Sequence, residues 1–306
     1  MNGLSIIRLA FIIFIFYSPQ RSRLYQEKNI ALVCNRLAGA GLALDVVAQL
    51  EGLLHQYNIP KTVFIQDWPA SFDGFTDIYL VGGDGTLNYF INQYPDLSLP
   101  IVLFKGGTGN DFHWLLYGVT DTVSQFKKVL DLPAHAVDCG RCNDRLFING
   151  VGAGFEGAVA KALVTKKKLP GKTSYMFTIL RLIFSYRSRH FTIMAGDKVI
   201  TGKQLLVDIS NGRRAGGGFH VAPAASADDG LLDLVIARSM SVWRRLICLP
   251  VIEKGKHLGL SVITHATVTA VRIQSLETIS YHLDGEYAES NELHIQIREK
   301  AFLFRY

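Results

Sequence analysis

Hydrophobic and polar positions alternate along the first half of the chain with two different periods. Apolar runs with the length of a buried strand occur at 30–34, 63–65, 78–81 and 99–104. After the first run, apolar residues recur with helical spacing from 42 to 57. Because short buried strands that alternate with helices form parallel sheets covered on both faces, this half is predicted to be an α/β domain.

The second half has a different pattern, in which glycine and Asn/Asp turns separate short runs rich in β-branched residues. These strand-like runs lie at 191–194, 203–209, 231–237, 266–273 and 294–297. One helical stretch, 161–189, interrupts them. The pattern predicts a second domain that is a mainly antiparallel β-sandwich.

An apolar run near the N-terminus, 4–17, is interrupted by Arg8 and is shorter than the roughly 20 residues that cross a bilayer as a helix. A signal peptide is disfavoured because the first three residues carry no basic side chain and no small-residue cleavage site follows. Two interpretations remain open, a membrane-dipping anchor and an extension without a fold of its own. Both predict a cytoplasmic body.

Composition narrows the function classes only partly. The chain has 306 residues, 49% of them hydrophobic, which suits contact with an apolar surface but not a polytopic membrane protein. The net charge of +6 fits nucleotide phosphates, an anionic membrane or nucleic acid equally well. Four scattered cysteines favour a reducing compartment, and Cys139-x-x-Cys142 lacks the second ligand pair that a structural zinc site needs.

Two glycine-rich turns are the most informative motifs. Residues 82–88 (GGDGTLN) and 106–111 (GGTGND) each follow a predicted strand directly. Glycines let the backbone approach a ligand and present N–H groups to phosphate oxygens, and a following helix adds its partial positive charge. Turns at the carboxyl ends of neighbouring parallel strands lie where open α/β sheets bind ligands.

The sequence GGDGTLN followed by GTGNDF resembles the diacylglycerol kinase catalytic family, which includes sphingosine and ceramide kinases and bacterial lipid kinases. Segments 149–156, 211–233 and 283–286 continue the resemblance, so it covers the chain from residue 28 onward. The first turn of that family reads Asn-Pro-x-Ser/Thr-Gly. This chain keeps Asn35 and Gly39 there but has lost the proline and the hydroxyl.

The resemblance implies roles for particular residues. Glu286 is implied as the base that accepts the proton of the lipid hydroxyl, with Asp284 as its partner or rival. Asp229 is implied to hold Mg²⁺ with the carbonyls of Ser226 and Leu231. The implied nucleotide contacts are Asn35, Gly39, Gly82, Gly83, Asp84, Gly85, Thr86, Leu87, Asn88, Thr108, Asn110 and Asp111. Among these, Asp84 is expected in the network that fixes Mg²⁺ and the γ-phosphate.

The function implied is an ATP- and Mg²⁺-dependent lipid kinase that converts diacylglycerol to phosphatidic acid, with a sphingoid base, ceramide or phosphatidylglycerol as alternative acceptors. The implied organisation is an extension (1–27), a nucleotide-binding domain (28–132) and a lipid-binding domain (133–306) whose last segment returns to the first domain. A membrane lipid is the expected partner, at the inner face of the membrane, and homodimerisation stays open.

Three competing functions are weighed against this one. An NAD kinase shares the GGDGT turn and a two-domain layout, but GTGNDF and the Asp-Gly-Glu tail resemble the lipid branch. A catalytically silent lipid-binding protein would explain the altered turn at 35–39, although the carboxylates are retained. A nucleic-acid binder explains the basic charge but none of the carboxylates. The basic run 166–172 and the apolar stretch 175–186 fit either a bilayer-surface helix or a core helix.

Overall fold

A computed structural model describes residues 27–165 and 172–306; residues 1–26 of the predicted extension and 166–171 of the basic run lie outside them. The first domain contains a parallel sheet in the order β4-β3-β1-β2. Its strands are β1 (Ile30–Cys34), β2 (Lys61–Ile65), β3 (Asp77–Gly82) and β4 (Ile101–Lys105). The predicted apolar runs therefore form the strands of one sheet.

Helices cover both faces of this sheet, as predicted. They are α1 (Leu42–Gln56), α2 (Asp84–Gln93), α3 (Asp111–Tyr117) and α4 (Thr122–Val129). Successive strand residues point to opposite faces. Thus Leu32 packs in a core with α1 and α4, whereas Val33 packs in a second core with α2 and α3.

The second domain is built on an antiparallel array with the strand order β11-β10-β9-β7-β12-β13. Its strands are β5 (Ala134–Cys142), β6 (Arg145–Phe147), β7 (Gly150–Gly154), β8 (Arg189–Ala195), β9 (Lys198–Ser210), β10 (Leu232–Arg238), β11 (Ile263–Val268), β12 (Ala270–Leu283) and β13 (Glu286–Arg305). Strands β5, β6 and β8 pair beside this path, and a separate hydrophobic core fills the interior. The predicted fold class, an α/β domain followed by a mainly antiparallel β domain, is confirmed.

The last strand connects the two domains. Phe304 of β13 pairs in parallel with Ile101 of β4. The Nη2 atom of Arg305 lies 2.6 Å from the Oδ1 atom of Asp77 on β3, and that carboxylate is almost wholly buried. Removing either partner of such a buried ion pair leaves the other charge buried and uncompensated. The C-terminus thus packs against the first sheet.

Three helices of the second domain differ from the sequence-based prediction. They are α5 (Phe155–Thr165), α6 (Lys172–Ser185) and α7 (Val242–Glu253). The single helix predicted at 161–189 is two helices, with the undescribed residues between them. The pattern gave no sign of α7, in which Pro250 lies near the end and weakens the helical signal. Within 27–165 and 172–306, no helix combines the length and apolarity needed to cross a membrane.

Strands β5, β6 and β7 were also missed, and β7 shows why. Its sequence, GVGAG, is typical of a loop, but all five residues are buried. A Cβ atom on Gly152 would lie 1.9 Å from the Oε2 atom of Glu156 in α5. The glycine therefore lets a helix side chain pack directly on the strand backbone.

Candidate active site

The two glycine turns lie side by side, because β3 and β4 are neighbours in the sheet. The N–H group of Gly106 donates to the carbonyl of Gly82 at 2.8 Å. A Cβ atom on Gly107 would approach the Cα atom of Gly83 to 2.5 Å. Only glycines allow the two turns to come this close, so their backbone groups share one surface.

The Asp84 carboxylate ties these turns to the second domain. Its Oδ2 atom accepts from the N–H of Asp111 at 3.0 Å. Its Oδ1 atom accepts from the N–H of Phe112 at 2.9 Å and from the Asn149 amide at 3.2 Å. A carboxylate has about four acceptor positions, and three are used here. The side chain therefore holds the start of α3 in place.

Asp111 and Asn110 also act within the turn. The Oδ2 atom of Asp111 accepts from the N–H of Gly217 at 2.7 Å, and its Oδ1 atom lies 3.4 Å from Nε of Arg214. Asn110 has a left-handed backbone, and its side chain bonds both the N–H and the carbonyl of Gly107, at 3.0 and 2.7 Å. These contacts explain why the turn needs both polar residues.

A large cavity begins at the turns, and the predicted nucleotide residues divide into two groups around it. Those that line the cavity are Asn35, Gly83, Asp84, Gly85, Thr86, Thr108 and Asp111. Those behind its surface are Gly39, Gly82, Leu87, Asn88 and Asn110. The second group supports the wall: Leu87 lies in the hydrophobic core, and the φ of +58° at Gly39 suits a glycine packed on Gly106.

Asp284 lies in the turn between β12 and β13 with a φ of 48°. Its carboxylate accepts from the N–H groups of Ile148, Asn149 and Gly150 and from the amide of Asn88, at 2.8 to 2.9 Å. Burial raises the pKa of Asp284, and the four hydrogen bonds oppose that shift. Because four donors fill its acceptor positions, this carboxylate holds the two domains together by hydrogen bonds.

Glu286, two residues further on, has a different environment. Its side chain is 47% exposed, and Arg145 donates to its Oε2 atom at 2.7 Å. Arg145 also reaches the Oδ1 atom of Asn88 at 3.3 Å, so it links Glu286 to the wall beneath the turns. Both Asp284 and Glu286 line the cavity. Of the two, Glu286 is the carboxylate that a hydroxyl can reach.

The predicted metal loop lies outside the lining of this cavity. The Oδ1 atom of exposed Asp229 accepts from the N–H of Leu231 at 3.0 Å. Ser226 donates to Asp228 at 2.6 Å, and the N–H of Gly230 donates to buried Asp138 at 2.7 Å. The loop is thus held in place by Asp138, whereas the Asp229 side chain is exposed to solvent.

Other metal sites have little support in the part of the chain that the structure describes. No group of three or more His, Cys, Asp or Glu residues that could hold an ion occurs there. Burial raises the pKa of the Cys139 and Cys142 thiols to about 12. These cysteines are therefore protonated core residues.

The cavity has a volume of about 1280 Å³ and two chemically different ends. The glycine turns and Glu286 line one end. Apolar side chains from β9 and from the three helices α5, α6 and α7 line the other, including Val159, Ile179, Ile183, Leu206, Leu249 and Ile252. A polar reacting group and a long hydrocarbon chain can therefore occupy one continuous space.

Sequence reasoning missed four polar residues that also line the cavity, Glu156, Asp208, His257 and His282. One signal was available: Asp208 interrupts the apolar run of β9, and a charge in a buried strand needs a partner. His257 follows α7, which was itself unpredicted.

Two family models match the chain. The model described as the diacylglycerol kinase catalytic domain matches residues 29–142. The model described as the YegS C-terminal NAD kinase beta sandwich-like domain matches residues 149–302. Together they span both structural domains.

Curated relatives and solved structures agree with these matches. A "Probable lipid kinase YegS-like" of Pseudomonas syringae pv. syringae (strain B728a) is 33% identical over 74% of this chain and 75% of the relative. The "Diacylglycerol kinase" of Bacillus subtilis (strain 168) is 26% identical over 89% of each chain. A crystal structure of a diacylglycerol kinase from Bacillus anthracis str. Sterne has a TM-score of 0.66 with 18% identity, over 91% of this chain and 97% of that one. The structural likeness concerns the fold.

Proposed function

We propose that this chain, which belongs to the lipid kinase family with a diacylglycerol kinase catalytic domain and a YegS C-terminal domain, phosphorylates the hydroxyl of diacylglycerol with ATP. The family makes it an ATP-dependent phosphotransferase acting on a lipid; the particular acceptor is the proposal. The observation that carries it is the cavity, in which two glycine turns and an accessible carboxylate meet an apolar chamber. That chamber suits acyl chains.

Different residues bind the phosphates, accept the proton and position the base. Backbone N–H groups of the turns at 82–88 and 106–111 bind the phosphates, aided by the N-terminus of α2. Glu286 accepts the proton of the lipid hydroxyl while that oxygen forms a bond to the γ-phosphorus. The bond from the γ-phosphorus to the β–γ bridging oxygen breaks, so ADP leaves and a phosphorylated lipid remains. Asp284 positions the strand turn that carries Glu286.

Magnesium is proposed at two places. Bound with ATP, it would neutralise phosphate charge near Asp84. At the loop of Ser226, Asp229 and Leu231, the exposed Asp229 carboxylate and the two carbonyls that the resemblance implies would give the all-oxygen donor set that Mg²⁺ takes together with water. Since this loop is outside the cavity lining, an ion there would stabilise the loop that Asp138 anchors.

Replacing Asp229 with alanine is expected to raise the Mg²⁺ concentration for half-maximal activity by roughly 10-fold, because the charged ligand is lost. The rise in melting temperature that Mg²⁺ gives the wild-type protein should also shrink. Asp67→Ala, which removes an exposed carboxylate that belongs neither to this loop nor to the cavity lining, is the control. Equal Mg²⁺ responses in Asp229→Ala and wild type would mean that the loop binds no ion.

A membrane surface is the proposed partner. The helices α6 and α7 line the cavity with one face and expose large apolar side chains on another, among them Phe177, Phe184, Trp243 and Ile247. Exposed apolar groups of this size are typical of surfaces that meet a membrane or a partner. Contact with a bilayer here would place the apolar end of the cavity next to the acyl chains of its substrate.

The function is tested with purified protein, γ-labelled ATP, Mg²⁺ and mixed micelles that contain diacylglycerol, sphingosine, ceramide or phosphatidylglycerol, with NAD in a parallel tube. Label in diacylglycerol supports the proposal. Label in another lipid alone keeps the kinase and changes its acceptor. Label only in NAD, or in none of the tubes, would reject phosphorylation of diacylglycerol and of the other three lipids.

A further inference from the structure

Carboxylates outnumber permanent cations among the described residues that line the cavity. The carboxylates are Asp84, Asp111, Glu156, Asp208, Asp284 and Glu286, and the cations are Arg214 and Arg245. Arg245 uses its guanidinium within the protein, because it donates to three backbone carbonyls at 2.8 to 3.2 Å. Of the two arginines, Arg214 is therefore the one that remains available to a bound anion.

Two contacts hold the guanidinium group of Arg214. Its central carbon lies 4.3 Å from the centroid of the Trp114 ring in α3, within the range of cation–π attraction. Its Nε atom lies 3.4 Å from the Oδ1 atom of buried Asp111. No described residue accepts a hydrogen bond from its terminal nitrogens, Nη1 and Nη2. A guanidinium held in this way presents its remaining donors as a fixed fork, which matches two oxygens of a phosphate.

The loop that carries Arg214 lies between the glycine turns and the apolar chamber. On one side, the N–H of Gly217 donates to Asp111, the last residue of the second turn, at 2.7 Å. On the other side, Gly216 packs so closely on the hydroxyl of Tyr175 in α6 that a Cβ atom would clash. Tyr175 also lines the cavity. In the proposed function, the phosphoryl group passes from the turns to a hydroxyl in the chamber, so it crosses this boundary.

We propose that Arg214 is a catalytic residue that binds the γ-phosphoryl oxygens of ATP and stabilises their negative charge during transfer. This rests on the proposed function and adds a residue to which the resemblance gives no role. The lipid oxygen forms a bond to the γ-phosphorus while Glu286 takes its proton. The bond to the β–γ bridging oxygen breaks, and its electron pair leaves with ADP. Arg214 forms no covalent bond, and its Nη groups donate to the non-bridging oxygens throughout.

The phosphodiester of an acceptor lipid has the same chemistry as the γ-phosphate. The attachment of Arg214 favours the nucleotide, because Asp111 belongs to a phosphate-binding turn and its own N–H donates to Asp84 at 3.0 Å. The fork is thus fixed to the turns through Asp111. Measurements with and without lipid distinguish the two sources.

Nucleotide titration without lipid tests the contact directly. ADP and AMPPNP, an ATP analogue that is not hydrolysed, are titrated with Mg²⁺ into wild type and Arg214→Gln in a calorimeter. The substitution is expected to weaken AMPPNP binding by about 10-fold and ADP binding by less than about 2-fold, since only AMPPNP carries a γ-phosphate. Equal weakening of both nucleotides would mean that Arg214 only holds the turn through Asp111. That result, or no weakening of either, would overturn the proposal.

Transfer rates with γ-labelled ATP then test the catalytic role on each lipid. Arg214→Gln is expected to lower kcat by about 10²–10³-fold, because a preorganised donor to the transferred group is lost. Arg214→Lys should keep more of the rate and, since it retains the charge opposite Asp111, provides a second variant if the first is unfolded. Melting curves establish folding. Arg141→Gln, which removes an exposed arginine of β5 outside the cavity lining, is the control and should keep the wild-type kcat.

The remaining outcomes separate this role from the proposed function. A loss of rate confined to phosphatidylglycerol would assign Arg214 to the phosphodiester and refute the nucleotide contact. Wild-type kcat in folded Arg214→Gln would refute the catalytic role. If the wild-type protein labelled no lipid but Arg214→Gln lost AMPPNP affinity selectively, the proposed acceptor would fail and the γ-phosphate contact would be supported.

Discussion

Replacing Glu286 with glutamine is expected to abolish lipid phosphorylation, with a loss of at least 10²-fold and up to about 10⁴-fold in kcat. Glutamine has nearly the same shape but cannot accept the proton of the lipid hydroxyl. Because the side chain is exposed and contacts Arg145 only at its tip, folding and ATP affinity should change little. The measurement is the rate of label transfer to lipid, together with ATP binding and a melting curve.

Glu289→Gln is the matched control for this substitution. Glu289 lies on the same strand, is about as exposed and forms a comparable ion pair with Lys161 at 2.8 Å. It should retain near-wild-type rates. A Glu286→Gln protein that keeps more than a third of the wild-type rate would remove Glu286 from the role of base.

Replacing Asp284 with alanine is expected to lower the free energy of unfolding by about 3–5 kcal/mol, because several buried hydrogen bonds are lost together. The substitution leaves four donors without an acceptor at the junction of the domains, namely three backbone N–H groups and the amide of Asn88. Buried donors that lose their acceptor retain the full cost of desolvation. Denaturant unfolding of the purified variant measures the change, and activity should fall with it because Glu286 loses its support.

Asp197→Ala is the control for this loss of stability. Asp197 lies in the exposed turn between β8 and β9, just as Asp284 lies in the turn between β12 and β13. Its removal should change the unfolding free energy by less than about 0.5 kcal/mol. If Asp284→Ala were as stable as this control but inactive, Asp284 would take part in the chemistry, and its role would not be to hold the two domains together.

Local sequence was sufficient to predict the parallel sheet and the position of the two glycine-rich turns. The strands of the first domain are short apolar runs, and their boundaries lie close to those runs because a strand buried on both faces needs apolar residues at every position. The glycines at 82–88 and 106–111 were informative since close backbone approach excludes a Cβ atom. The same reasoning did not predict strand β7, because its glycines allow close packing and do not form a turn.

The sequence alone did not show which role each carboxylate has. Asp84, Asp284 and Glu286 all belong to recognised motifs, yet the contacts divide them. Asp84 and Asp284 are held by backbone and amide donors that lie 27 to 196 residues away in the chain, whereas Glu286 remains accessible. A motif specifies which residue type is present, but hydrogen bonding to distant segments decides which carboxylate can accept a proton.

By itself, the sequence determined the order of strands and helices in the first domain, the antiparallel character of the second, the two glycine-rich turns and the family. Only the tertiary structure decided that the last segment meets the first sheet through the pairing of Phe304 with Ile101. It also decided that Glu156, Asp208 and His282 meet at Gly152 of β7. The physical reason is that periodicity and glycine content act over a few neighbouring residues. Strand register and the packing of α5 on β7 bring together side chains that lie 52, 74 and 126 positions apart in the chain.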